Sequence, residues 1–201
     1  MTTAAPRAIL MVSMEPPASL EEEFNDWYDT EHFPQRRALA GFESAARWVC
    51  IDGWPRWLAL YELESIDALQ SAAYREVSGA QSTPWSRRIL PRTVGRTRVI
   101  AQQLGETQLP LSAATRLLVA SIPMHAADAS AVAVAVREAL TPRADLRQLR
   151  AFVEADTTLW VLAAFDTPVA AADLAQQIGR PSGLGIATFN LYAPYVRSGY
   201  G

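Results

Sequence analysis

Apolar residues change their spacing along this chain in a regular order. Residues 7–14 (RAILMVSM) are a short, nearly continuous apolar run, the pattern of a buried strand. Over 19–33 the spacing turns helical: Leu20, Phe24, Trp27 and Glu31 follow i, i+4, i+7 and i+11 on one face. Ser19 with Glu22 three residues on fits a capping box, and Glu21, Glu22 and Glu23 occupy the first turn, where the helix dipole favours acids. Pro34 marks the expected helix exit. Residues 42–51 (FESAARWVCI) and 56–63 (RWLALYEL) read as strands joined by a DGWP turn. A helix over 66–76 and a strand over 96–104 follow.

The same order then recurs. Residues 115–122, 147–154, 158–165 and 185–193 read as strands, and 127–140 and 169–178 as helices. Each half is therefore β-α-β-β-α-β, a ferredoxin-like unit, and a repeat of about 100 residues is a strong organisational signal. The expected division is a first unit over 1–104, a linker over 105–114 and a second, degenerate unit over 115–201. One such unit leaves a sheet face uncovered, because both helices lie on the other face. Two units packed sheet to sheet bury those faces as an internal pseudo-dimer, and edge strands leave a homodimer open. The expected fold class is α+β.

Composition narrows the function. All 18 basic residues are arginine, so no lysine can form a Schiff base. A net charge of −3 with no basic stripe argues against a nucleic-acid partner. The single cysteine, Cys50, has no partner for an intrachain disulfide, and two isolated histidines do not make a metal site. The N-terminal apolar run is too short for a membrane span, so no membrane partner and a cytoplasmic location are expected. GRPSGLG at 179–185 lies between a helix and a strand, the wrong order for a phosphate cradle, and reads as a loop.

Candidate chemistry concentrates in EFNDWYDTEHFPQR, residues 23–36. His32 lies four residues after Tyr28 and three after Asp29, so both can reach it along the helix. A carboxylate beside an imidazole fixes its tautomer and raises its basicity, which is the equipment of acid–base catalysis. The structural alternative for His32 is a helix-end residue that caps a carbonyl; for Asp29 it is a solvated surface. Glu31, on the apolar face, needs a partner such as Arg47 if buried. Trp27, Trp48, Trp57 and Tyr61 are candidate walls of an aromatic pocket, with core packing as the plain alternative. Residues 82–92 (STPWSRRILPR) read as a covering loop or a lid, with Trp85 over the site and Arg87 or Arg88 holding an anionic group.

The run W-Y-x-x-E-H-F-P, the A-G-F at 40–42, and the strands carrying Arg47-Trp48 and RWLALYEL resemble the EthD-like branch of the dimeric α+β barrel superfamily. The resemblance covers residues 7–104 and is only a fold-level echo over 115–195. It implies an internal dimeric α+β barrel with a histidine, here His32, lining a cleft between helix and sheet. It also implies cofactor-free isomerase, cyclase, lyase or monooxygenase chemistry on lactones, polyketides or small aromatics, with haem-binding and non-catalytic members as alternatives. The expectation is an enzyme without cofactor or metal, with His32 as acid or base assisted by Tyr28 and Asp29. Trp27, Glu31, Arg47, Trp48, Trp57, Tyr61, Trp85 and Arg88 would bind the small-molecule substrate.

Overall fold

The computed structural model describes residues 5–105, 110–111, 113–182 and 185–197. Eight strands form one closed antiparallel barrel: β1 (Ala8–Glu15), β2 (Phe42–Asp52), β3 (Trp57–Leu63), β4 (Val94–Gln103), β5 (Arg116–Pro123), β6 (Leu146–Glu154), β7 (Thr158–Phe165) and β8 (Thr188–Pro194). Around the barrel the order is β1-β3-β2-β8-β5-β7-β6-β4. The first four strands thus run 4-1-3-2, and the last four repeat that order as β8-β5-β7-β6. The two sets do not simply stack: β2 pairs with β8, and β4 with β6, so their edges are joined. The joining ladders are short: β4 meets β6 at Gln102 and Gln103, and β2 meets β8 from Trp48 to Asp52.

Period-two alternation decides what each strand face buries. On β3, Trp57, Ala59, Tyr61 and Leu63 point outward under helices, while Leu58 and Leu60 point into the lumen. The lumen is packed by residues of both halves, including Ile9, Met11, Trp48, Val119, Phe152 and Tyr192. At one end it also encloses an ion pair: Arg150 on β6 donates to both carboxylate oxygens of Glu62 on β3, at 2.5 and 3.0 Å. The Leu111 N–H adds a third bond to Glu62 at 2.7 Å.

Helices cover the outside. In the second half, α5 (Ala129–Leu140) and α6 (Ala171–Ser182) lie over an apolar layer that includes Leu118, Val136, Leu149, Phe165 and Leu174. The chain continues as helix into the stretch expected to be a loop from residue 179, and residues 183–184 fall outside the described ones. The expected helix over 66–76 is interrupted at Ser71, whose backbone is extended and whose hydroxyl caps α3 (Ala72–Glu76). Residues 82–92 are not a plain loop. Thr83 caps α4 (Pro84–Ile89) by accepting from the Ser86 N–H, and proline enters at the first turn, where its missing N–H costs nothing.

The first helix corrects two expectations. It opens with a 3-10 turn after Pro17 rather than at a Ser19 cap. It also does not end at Pro34. The chain runs from α1 (Glu21–Trp27) through a π turn (Tyr28–His32) into α2 (Phe33–Arg37). The Phe33 N–H reaches back five residues to the Tyr28 carbonyl. A widened turn relieves the carbonyl clash that a proline makes in a regular helix, so Pro34 is accommodated.

Candidate functional site

β2 is longer than its neighbour β8. Their pairing ends where Trp48 meets Pro194, and proline has no N–H to continue the ladder. One further bond, from the Tyr195 N–H to the Arg47 carbonyl at 2.9 Å, turns the chain across the start of β2. The small side chains of Ala45 and Ala46 leave space there. The result is a cleft of about 910 Å³ between α2, β2, residues 194–197 and the β4–β5 connection. Phe33, Pro34, Leu111 and Pro194 supply apolar walls, and Asp29, Arg37, Arg47, Tyr195 and Arg197 are its charged or phenolic residues.

Arg47 is the centre of this wall. Its side chain is 4% exposed and donates to Asp29 Oδ1 at 2.6 Å and to Asn25 Oδ1 at 2.8 Å. Its guanidinium lies 4.4 Å from the ring centres of both Tyr28 and Tyr195 and 4.9 Å from that of Trp57. An aromatic cage suits a flat, weakly hydrated cation. Asp29 is the cleft's one carboxylate; its second oxygen accepts from the Tyr195 hydroxyl at 3.2 Å, with Arg197 at 3.9 Å. Trp27, Tyr28 and Asp29, three consecutive residues where the helix passes into the π turn, are all turned inward. A regular turn would spread them over about 200°. Asp29 is therefore not a solvated surface residue. Arg47 pairs with Asp29 rather than with Glu31.

His32 is placed behind this wall rather than in it. Its ring centre lies 4.3 Å from that of Trp27 and 5.1 Å from that of Tyr28, and it does not line the cleft. Burial, reinforced by the charges of Arg36 and Arg47, holds its imidazole well below its ordinary value, so it is neutral at pH 7. Its buried Nδ1 has no hydrogen-bond partner among the described residues, and the same holds for the Tyr61 hydroxyl and the indole N–H groups of Trp48 and Trp57. Burial also pushes the Tyr28 phenol up to about 12 and holds Tyr61 well above its ordinary value, leaving both as neutral donors. Tyr195 is raised by burial and then by the Asp29 charge beside it. The Cys50 thiol is pushed up to about 11 by burial, which suits an inert residue.

The remaining sequence candidates divide into three groups. Tyr28 and Trp57 meet at the Arg47 cage. Trp48 lies on the opposite sheet face from Trp57 and Tyr61, in the lumen layer at the cleft's floor, so the four aromatics do not form one pocket. Trp27, Glu31, Trp85 and Arg88 tie α4 to the first helix. Trp27 donates to Ser86, Thr83 donates to Glu31 at 2.5 Å, and both Trp85 and Arg88 donate to Glu23. Arg88 thus answers an acid of its own chain. Sequence reasoning missed Tyr195, Arg197, Asn25 and Arg37. The first two come from beyond the last strand, 166 and 168 positions after Asp29 by chain order, and nothing local in APYVR marks them.

No cluster of three or more histidine, cysteine, aspartate or glutamate residues able to hold a metal occurs among the described residues. Haem does not fit the cleft either: iron is usually held by histidine, cysteine, methionine or tyrosine. No histidine, cysteine or methionine lines the cleft, and its one tyrosine donates to Asp29. Among the described residues no helix is long and apolar enough to cross a membrane.

No family model matches the sequence, and no curated protein matches it. Solved structures do. A chlorite dismutase-like protein superposes with a TM-score of 0.65 at 11% identity, over 96% of each chain. A haem-binding protein from Thermus thermophilus gives 0.60 at 13% identity, covering 95% of this chain and 92% of that one. An anthrone oxidase-like protein gives 0.54 at 11% identity, with coverage of 95% and 92%. At such identities the likeness speaks for the fold alone: a mixed α+β fold built on an eight-stranded antiparallel barrel.

Proposed function

We propose that this protein is a cofactor-independent enzyme that moves a proton on a small aromatic, lactone or polyketide-like substrate held in the cleft. The observation that carries this reading is the Asp29–Arg47–Tyr195 group on an otherwise apolar wall. Asp29 is the proposed base, with Arg47 orienting its carboxylate. Tyr195 is the proposed positioning residue, its hydroxyl holding the second oxygen of Asp29. His32, neutral and packed on Tyr28, is assigned a positioning role rather than contact with substrate in the cleft. Within this reading the EthD-like branch remains the proposed relative, and the barrel is two ferredoxin-like units in tandem, 1–104 and 115–201. The repeated 4-1-3-2 strand order supports that division. The site would be composite, since Tyr195 and Arg197 belong to the second unit.

The test measures carbon-acid chemistry directly. Anthrone, whose C10 protons are acidic, is incubated with the protein in D2O under nitrogen, and loss of the C10 proton signal is followed by NMR. The wild type should accelerate exchange, and Asp29→Asn should reduce the acceleration by about 100-fold or more while the circular dichroism spectrum is unchanged. Acceleration that survives Asp29→Asn would remove Asp29 from the role. Absence of exchange over a panel of such carbon acids, with ligands still bound, would favour a non-catalytic binding module. The anthrone oxidase-like protein among the similar structures gives a reason to repeat the incubation in air and record oxygen uptake.

A further inference from the structure

We propose, on the basis of the cleft reading above, that the ligand is an anion: a flat apolar body bearing a carboxylate, phenolate or sulfonate, whose charge is held at the mouth by Arg37. The charges around the cleft do not balance. Arg47 is answered by Asp29, whose two oxygens are already engaged by Arg47 and Tyr195. Arg197 is answered by Asp26. Arg37, in the last turn of α2, lines the cleft, is exposed, and takes part in no ion pair among the described residues. No carboxylate other than Asp29 lines the cleft. The remaining walls include Phe33, Pro34, Ala45 and Leu111, which give an aromatic body somewhere to lie. A ligand with an apolar end against Ala45 and an acidic group at the mouth would neutralise the surplus charge. A cationic ligand would meet three guanidinium groups and one carboxylate already in use.

Two fluorescent probes of nearly the same shape separate charge from shape. 1-Anilinonaphthalene-8-sulfonate is an anion, and N-phenyl-1-naphthylamine is its neutral counterpart. At about 20 mM salt, Arg37→Gln should weaken the sulfonate probe by about 5- to 10-fold and change the neutral probe by less than about 2-fold. Arg37→Lys should restore most of the difference, and about 0.5 M salt should erase it by screening. Ala38→Trp, which places a large ring at the mouth from an exposed position, should displace both probes. If Arg37→Gln affects both probes equally, or neither, the anion assignment is wrong while the cleft reading stands. If neither probe binds the wild type, or Ala38→Trp leaves both bound, the cleft is not a ligand site and both proposals fall.

Discussion

The Glu62–Arg150 pair offers the sharpest test of how the two halves are held together. Its side chains are 6% and 3% exposed, so the pair falls in the desolvated regime rather than the weak surface one. Glu62→Leu removes two bonds from Arg150 and one from the Leu111 N–H while leaving the guanidinium inside the lumen. Stranding one partner of such a pair costs about 3–5 kcal/mol. Arg150→Met strands the carboxylate and should cost a similar amount. The double variant removes both charges and replaces them with apolar volume, so it should return to within about 1 kcal/mol of the wild type or exceed it. Urea unfolding followed by tryptophan fluorescence reads this directly. With a slope of about 2.5 kcal/mol per molar, each single variant should lower the midpoint by roughly 1–2 M. A double variant as unstable as the sum of the singles would refute the reasoning, since the charges would then not be coupled across the lumen. Single costs under about 1 kcal/mol would refute it differently, by showing that water reaches the pair.

Two further outcomes are expected. The His32 imidazole is held below its ordinary value in the folded chain, so the unfolded chain takes up a proton below about pH 6.5 that the folded one refuses. Stability due to this group is therefore full above that pH and falls on acidification, by up to about 1.4 kcal/mol per pH unit. Urea midpoints at pH 5, 6 and 7 should show this slope, and His32→Phe should flatten it; an unchanged slope would mean that the ring is protonated in the folded protein. Gly41 has φ +80°, and an added Cβ would lie 2.8 Å from the Ala68 Cβ, so Gly41→Ala should cost about 1–3 kcal/mol by thermal or urea unfolding.

The strands were legible because their signal is local. On β3, alternate residues face helix and lumen, and every position is buried, so the run RWLALYEL could only be a strand covered on both sides. The π turn was not legible. Its sequence, YDTEH, carries no propensity that separates bonding across five residues from bonding across four, and Pro34 was read by its usual meaning as a stop. That one unread turn moved the site. Regular spacing puts Tyr28 and Asp29 within reach of His32 at the helix border; in the structure Asp29 meets Arg47 instead, and His32 lies against Trp27, five residues before it.

The location of the site follows from barrel closure more than from any motif. Arg47 and Asp29 lie on a strand and a helix of the first half. Their exposed flank faces the point where β8 stops one residue short of Arg47. Among the described residues that follow Pro194, Tyr195 and Arg197 bring polar side chains to that flank. In the second half the corresponding layer under α5 and α6 is apolar, with small side chains such as Ala129, Ala133, Ala151 and Ala163. An apolar helix–sheet layer can pack tightly and contributes stability without chemistry. The asymmetry between the halves therefore has a physical basis. One helix–sheet layer is filled with alanine and leucine, and the other is opened by a buried cation that needs a carboxylate, a cage of aromatic rings and a tail from its neighbour to be held there.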